Sequence, residues 1–286
     1  MIRADSLIMR RASDTGSMDL IIARQQAGQS VKTILVAGLT GHSQMYLLRR
    51  VREGACRLDG AVVGNWGKRV EPGQRIEIDL DPDVETGSLP QAIPLDVIAE
   101  DDQVLVVNKP AGLLVHPTSR VKSGTLANAV AYRLAGQRFW FPHRLDQQTS
   151  GVLVVAKTAP AMRDLTRAWK FARKSYDALL EGCVTSDTMV IEAPIGRDPE
   201  AKPPWGVMAT GKPALSRLRV VERCPEHTLV ELEPVTGRTN QLRIHCAHIG
   251  HPVLGDGVYG TGGERLFLHA SRLEVAGRQW QAERPW

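Results

Sequence analysis

Cysteine is scarce in this chain of 286 residues, and Cys56, Cys183, Cys224 and Cys246 stand far apart with no CxxC pair. That excludes a disulfide framework and a zinc ribbon, and leaves reduced, partly buried thiols as the expectation. Long apolar runs are missing too. The aliphatic stretches, such as 152–156, fall far short of the roughly 20 residues that span a bilayer, so no transmembrane helix is expected. Residues 1–17 carry Arg3, Arg10 and Arg11 but lack the apolar segment of a secretory signal. They read as a terminal tail, and a cytoplasmic protein is expected. Gly260-Thr261-Gly262-Gly263 lacks the strand, the helix and the Lys-Ser/Thr of a phosphate-binding loop. No internal repeat or low-complexity tract is present.

The chain does have the composition of a globular protein. Hydrophobic residues make up 43% and charged residues 23%, which excludes a mainly disordered chain, a collagen and a coiled-coil rod. At roughly 150 residues per domain, the length suggests one large domain and one smaller one. Lys+Arg 36 less Asp+Glu 31 gives +5, so a polyanionic partner is plausible but not required. Two clusters carry much of the excess. Lys157, Arg163, Arg167, Lys170, Arg173 and Lys174 face only Asp164, and Arg49, Arg50, Arg52 and Arg57 face only Glu53. Each could be a solvated helix face or a phosphate-binding surface.

Residues 43–54 place Met45, Leu47, Leu48 and Val51 at near-helical spacing, with Gly41-His42-Ser43 as a start and Gly54 as a stop. Short strands at 55–58 and 61–63 flank Asp59-Gly60, a hairpin turn signal, and Glu71-Pro72-Gly73 leads into an alternating strand at 75–80. Residues 81–94 are acidic and rich in Pro and Gly, as in a linker. Beyond them the spacing predicts strands at 104–108, 152–156, 214–220 and 228–235, with helices at 125–134 and 161–174. Strands outnumber helices without strict alternation. The fold class expected is therefore α/β of the α+β kind, with a mixed, largely antiparallel central sheet flanked by helices and loops.

Chemistry concentrates in ordered motifs. His143-Arg144-Leu145-Asp146-Gln147-Gln148-Thr149-Ser150-Gly151 runs into the apolar strand at 152–156. Read by itself, Asp146 could be a plain turn carboxylate. Asn108-Lys109-Pro110-Ala111-Gly112 and Val115-His116-Pro117 precede it. Lys174-Ser175-Tyr176, Pro194-Ile195-Gly196-Arg197-Asp198-Pro199 and Gly211-Lys212-Pro213-Ala214 follow. Thr236-Gly237-Arg238-Thr239-Asn240-Gln241-Leu242-Arg243-Ile244-His245 comes next, then Gly250-His251-Pro252, Leu254-Gly255-Asp256 and Phe267-Leu268-His269-Ala270. In kind and in order these resemble the RluA-type pseudouridine synthases over about 95–275. Asn240 stands where that family usually has His. The stretch from about 29 to 81 resembles the S4-type RNA-binding module, though Gly41-His42-Ser43-Gln44 replaces its usual Ser-Arg. The division expected is a tail over 1–28, an S4-like domain over 29–85, a linker over 86–94 and a synthase domain over 95–286.

The resemblance implies roles. Asp146 would be the catalytic aspartate that promotes breakage of the N1–C1′ bond of uridine, after which uracil rotates and rejoins through C5. A closed pocket raises the cost of a carboxylate's charge, and Arg243 would compensate it through hydrogen bonds. Tyr176 would stack on the uracil and handle the C5 proton, and Leu242 would close the other side of the base. The target must leave its stack, and Arg144 would wedge into the vacated space. His143 and the Phe139-Trp140-Phe141 run could also stack on RNA, the aromatic run being equally readable as packing. Thr149 belongs to the same RNA-binding motif, and Arg49 and Arg50 are the candidates on the S4-like module. His245, His248 and His251 invite a zinc reading, but Gly250 and Pro252 break the helix that would align them. The resemblance implies an isomerase acting on structured RNA, ribosomal or transfer, as a monomer without cofactor or metal. The alternatives are an inactive RNA clamp, which has no use for a carboxylate near phosphates, and a metal-dependent deaminase or hydrolase, for which no coherent ligand set is present.

Overall fold

The computed structural model of the chain describes residues 8–12, 17–39, 44–80, 89–118 and 121–286, which fall into two units, Met1–Leu89 and Pro90–Trp286. In the first, β1 (Ile8–Ala12) and β2 (Ser17–Ile21) precede the helices α1 (Val31–Gly38) and α2 (Gln44–Arg52) and the strands β3 (Cys56–Leu58), β4 (Ala61–Val62) and β5 (Arg75–Asp79). The sheet order is β1-β2-β5-β3-β4, antiparallel throughout.

The expected tail over 1–28 needs correction, because β2 pairs with β5 along its whole length. Leu20 and Ile22 lie buried with Ile76 and Ile78, and Asp19 spends its charge on Arg75 at 2.5 Å. Alternation of Met18, Leu20 and Ile22 was the strand signal. The Asp59-Gly60 turn has φ of 51° and 80°, the doubly left-handed geometry of a two-residue hairpin. The start signal at 41–43 and residues 86–88 of the linker lie outside the described residues, while 89–94 forms neither helix nor strand.

The second unit contains β6 (Val97–Glu100), β7 (Val104–Lys109), α3 (Leu126–Arg133), β8 (Ser150–Ala156), α4 (Ala159–Ala168), β9 (Arg173–Glu181), β10 (Thr188–Glu192), β11 (Ile195–Arg197), β12 (Trp205–Val207), β13 (Leu215–Arg223), β14 (His227–Pro234), α5 (Gln241–His248), β15 (Leu268–Val275) and β16 (Arg278–Gln281). Its large sheet runs β10-β13-β14-β9-β15-β8-β7-β6, with β16 on β15 and a separate β11–β12 ribbon. Among the described residues only β15 and β8 pair in parallel, so the sheet is mixed and largely antiparallel.

Strands β7 and β8 read as unbroken apolar runs because both faces are covered. Leu105, Val107, Leu153 and Val155 pack on Leu126 and Val130 of α3, whereas Val104, Val106, Val152 and Val154 pack with Ala161 and Leu165 of α4. The helix expected over 161–174 ends at Ala168. Trp169–Phe171 tightens into a 3-10 turn, and Arg173 and Lys174 are captured by ladder pairing with Glu274 and Leu273 of β15. Helix α5 packs Leu242 and Cys246 against Ala178, Leu180, Val230 and Leu232 of the sheet.

Candidate active site

The loop carrying Asp146 is held from three directions. Lys109, at the end of β7, is wholly buried, and its Nζ donates to the carbonyls of Pro110 at 2.8 Å, Leu113 at 2.8 Å and Gln147 at 3.0 Å. Burial pushes its pKa down to about 8, against the opposing charge of Asp146; at neutral pH the ammonium persists, and its three N–H groups match the three acceptors. Gln147 Nε2 also donates to the Gly112 carbonyl at 3.0 Å, while Gly112 N–H returns a bond to Gln147 O at 2.9 Å. The Asn-Lys-Pro segment thus anchors the loop after Asp146, a function its sequence alone does not reveal.

Past the loop, β8 opens with Ser150 and Gly151, which pair in parallel with His269 and Ala270 of β15. Ser150 Oγ lies 2.9 Å from His269 Nδ1, and His269 Nε2 lies 3.1 Å from the Ala282 carbonyl. Gly151 has φ of 116°, and a Cβ there would fall 2.3 Å from the Ala270 carbonyl oxygen. Two distant sequence motifs therefore meet in one backbone contact that only glycine permits. Gly151→Ala is expected to lower the unfolding free energy by about 2–5 kcal/mol, from overpacking and backbone strain together, as read by urea denaturation. Stability equal to wild type would show that the two strands can separate without cost.

His143 is the third anchor. Its ring stacks on Trp169 with centroids 4.5 Å apart, and Nε2 accepts the Val154 N–H at 3.1 Å. Burial, aided by Lys174, pushes its pKa down to about 3, so the ring is neutral. The His143 ring thus binds the loop to the end of the α4 segment through Trp169. A neutral histidine in the folded chain has a defined pH signature. Its stabilisation is complete above the ordinary pKa near 6.5 and declines as pH falls toward 3, by about 1.4 kcal/mol per pH unit, because the unfolded chain takes up the proton first. Burial lowers His116, His245 and His269 as well, so their slopes add. His143→Gln should make the acid limb of stability shallower by about one proton between pH 6 and 4; denaturation midpoints across that range would detect an unchanged slope.

These anchors present Asp146 to a cleft of about 390 Å³ between the loop, β9 and the start of α5. The cleft wall also includes His143, Arg144, Thr149, Tyr176, Leu242 and Arg243, so the expected catalytic-domain residues come together around one space. Thr149 and Leu242 are buried, and Arg144 is exposed. Burial, and after it the Asp146 charge, push the Tyr176 phenol well above its ordinary range, which keeps it protonated.

Arg243 differs from the expectation. Its two shortest hydrogen bonds go to Asp256, a fully buried carboxylate, with Nε on Oδ2 and Nη2 on Oδ1, each at 2.6 Å. Asp256 Oδ1 also accepts the Val258 and Tyr259 N–H groups at 2.9 and 3.1 Å. Burial would raise the Asp256 pKa, but Arg243 and these donors bring it below the usual carboxylate range. Among the described residues Arg243 has no hydrogen bond to Asp146, and the two groups interact through charge alone. Asp256 takes the Nε–Nη2 edge of the guanidinium, and Nη1 donates to Asn240 Oδ1 at 3.5 Å. Asn240 sits at φ 53°, a left-handed position that Asn tolerates, and its amide donates to the Tyr259 hydroxyl at 3.1 Å. Tyr259 in turn lies under the Arg243 guanidinium, 5.1 Å from it. Gln241 fixes the preceding turn through Thr236, Arg238, Leu215 and Ser216.

Lys174 also lines the cleft. It is partly buried, burial lowers its pKa, and among the described residues no carboxylate stands within ion-pair distance. Of the aromatic run, Phe139 and Phe141 pack edge to face at 5.6 Å within the core under α3, the packing alternative for that run. His245 and His251 spend ring nitrogens on the carbonyls of Ala193 and Glu181, and among the described residues no group of His, Cys, Asp and Glu is placed to hold a metal ion. In the first unit, Arg50 is committed to Glu53 at 2.8 Å and to the Asp79 carbonyl at 2.9 Å, whereas Arg49 is half exposed with a loose Glu53 contact at 3.7 Å.

A family model described as RNA pseudouridylate synthase matches residues 103–248, the span from β7 through α5 that builds this cleft. The chain belongs to that family. A ribosomal large subunit pseudouridine synthase D of Pasteurella multocida is 36% identical over 245 residues, covering 84% of this chain and 75% of the relative. Another so named, from Pseudomonas aeruginosa, is 37% identical over 239 residues, 82% of this chain and 74% of the relative. The solved human RNA pseudouridylate synthase domain containing 1 is 30% identical with a TM-score of 0.60, over 68% of this chain and 85% of that one. The synthase residues that the sequence reading did not assign are Lys109, Lys174 and Asp256. Lys109 and Lys174 lie inside the matched span and Asp256 just beyond it; for Asp256 the available signal is that a carboxylate buried after Leu-Gly needs a cation.

Proposed function

We propose that this RNA pseudouridine synthase isomerises uridine in large-subunit ribosomal RNA, with Asp146 as the reacting carboxylate. The observation that carries the reading is the convergence of Asp146, Tyr176, Leu242 and Arg243 on one cleft within the family-matched span; the names of the relatives support the ribosomal substrate. The net reaction breaks N1–C1′, forms C5–C1′ and moves one proton from C5 to N1. It transfers no electrons and consumes no second substrate, so the chain's own residues suffice chemically.

In this reading the uracil lies between the Tyr176 ring and Leu242, and Asp146 promotes departure of N1 from C1′. Arg243, oriented by Asp256, stabilises negative charge as it develops. Tyr176 and Asp146 are coupled. Burial, and after it the charge of Asp146, holds the phenol's proton, so Tyr176 takes up the C5 proton only by passing its own hydroxyl proton on, as a relay toward N1. Lys174 is placed for a phosphate of the extruded nucleotide, and Arg49 with exposed Arg52 offers the first unit's contacts to RNA. The inactive-clamp reading has no structural observation in its favour. Mapping pseudouridines in ribosomal and transfer RNA from cells with and without the gene tests the assignment. Loss of one or a few sites in the large-subunit RNA supports it, and identical maps contradict it.

Arg144, exposed two residues before Asp146, is the proposed wedge. A wedge stabilises only the extruded state, whereas a phosphate contact serves capture. Arg144→Ala is therefore expected to slow single-turnover conversion on a structured RNA by about 10-fold or more, and to be less harmful on an unstructured strand. Equal slowing on both would assign Arg144 to the chemistry or to ordering Asp146.

A further inference from the structure

The proposed function accounts for the cleft but not for the segment beside it. Phe171 closes the 3-10 turn after α4 and is 76% exposed, more than any other large apolar side chain among the described residues. Trp169, two residues earlier, and Lys174, three residues later, both line the cleft, which puts Phe171 within a turn of chain from its rim. Its surroundings are cationic. Lys170 Nζ lies 4.7 Å from the Phe171 ring centroid. Arg163, Arg167, Lys170 and Arg173 are exposed, and among the described residues none of them has a carboxylate within ion-pair distance. The contrast with the β13–β14 face is informative: there Arg217 and Arg219 are each paired with a glutamate across the strands. A lone exposed phenylalanine needs no explanation by itself. One set among unpaired cations, in the segment between two residues that line the cleft, has the composition of a single-strand binding surface, cations for phosphates and a ring for a base.

We propose that Phe171 is a stacking platform for an unpaired RNA base flanking the uridine held in the cleft, with Lys170 and Arg167 on the adjoining phosphates. The proposal rests on the RNA-modifying reading above. Extrusion of the target leaves its neighbours without a stacking partner, and an aromatic ring outside the cleft replaces one.

The test uses the full chain and two end-labelled probes, a 12-residue oligouridylate and a ribose-phosphate chain of the same length without bases. Phe171→Ala and Phe171→Leu are expected to bind oligouridylate about 5- to 100-fold more weakly, and Phe171→Trp as tightly as wild type. None of the three should change binding to the baseless chain or the slope of log affinity against log salt. Lys170→Ala should weaken both probes and lower that slope by about 0.7. Unchanged affinity of Phe171→Ala for oligouridylate overturns the proposal, as does rescue by leucine or an equal loss on the baseless chain. Self-association that depends on Phe171 while RNA affinity does not would make the ring a protein contact and overturn it too. A wild-type chain that binds neither probe overturns the RNA reading along with the platform, whereas the other failures leave that reading standing.

Discussion

Asp146→Asn is expected to reduce conversion of uridine by at least about 10⁴-fold while leaving the fold and RNA affinity intact. The amide has nearly the volume of the carboxylate, and the loop that carries it is fixed by groups other than the Asp146 side chain. Lys109 holds the Gln147 carbonyl, His143 holds β8 and Stack-mate Trp169, and Ser150 and Gly151 are locked to β15. Removing a negative charge from an RNA-binding cleft should, if anything, tighten the complex. Single-turnover conversion and equilibrium binding on the same RNA separate the two effects. A variant that converts at the wild-type rate would remove Asp146 from the chemistry, and one that loses binding in proportion to activity would make it a substrate-holding residue.

The second large effect concerns Arg243 and Asp256. Asp256→Asn leaves a mostly buried guanidinium without its counter-charge, at an expected cost of about 3–5 kcal/mol in unfolding free energy, and it releases the arginine from the orientation that faces Asp146. Arg243→Lys keeps the charge but cannot make the two-pronged contact, so turnover should fall by about 10²-fold or more with a smaller loss of stability. The informative variant replaces both, Arg243→Met with Asp256→Leu. Because no buried charge is then left alone, stability should recover part of the loss, the rest reflecting the Val258 and Tyr259 N–H groups that lose their acceptor, while conversion stays lost. Recovery of activity in that double variant would show that the pair serves only the fold.

Much of this site was legible before any coordinates, and the reasons differ by residue. Asp146, Arg144 and Thr149 lie within one continuous loop, so their proximity follows from the chain itself. Tyr176, Leu242 and Arg243 come from β9 and α5, and they were reached through resemblance, since nothing in their spacing brings them to Asp146. The pairing of Arg243 with Asp256 could not be read off, because it depends on how the chain after α5 turns back, with Gly255 so close to the Arg265 carbonyl that no Cβ fits. The anchoring contact of His143 is hidden for a related reason, because the Trp169 ring it stacks on comes from a separate segment. In the first unit, Met18, Leu20 and Ile22 carried a strand signal that the neighbouring arginines of the terminal segment obscured. The long helix expected over 161–174 followed helical spacing faithfully to Ala168, and failed where strand pairing with β15 outweighed local propensity.

The central claim is that this chain by itself moves a proton from C5 of uridine as the base is rejoined through that carbon. The most direct measurement incubates purified protein with a large-subunit ribosomal RNA transcript carrying tritium at uridine C5, with nothing added but buffer and salt. The account predicts tritium release to water that plateaus at a small whole number per transcript, matched one for one by pseudouridine in the digested RNA and abolished by Asp146→Asn. Absence of release, or release without an equal yield of pseudouridine, would contradict it.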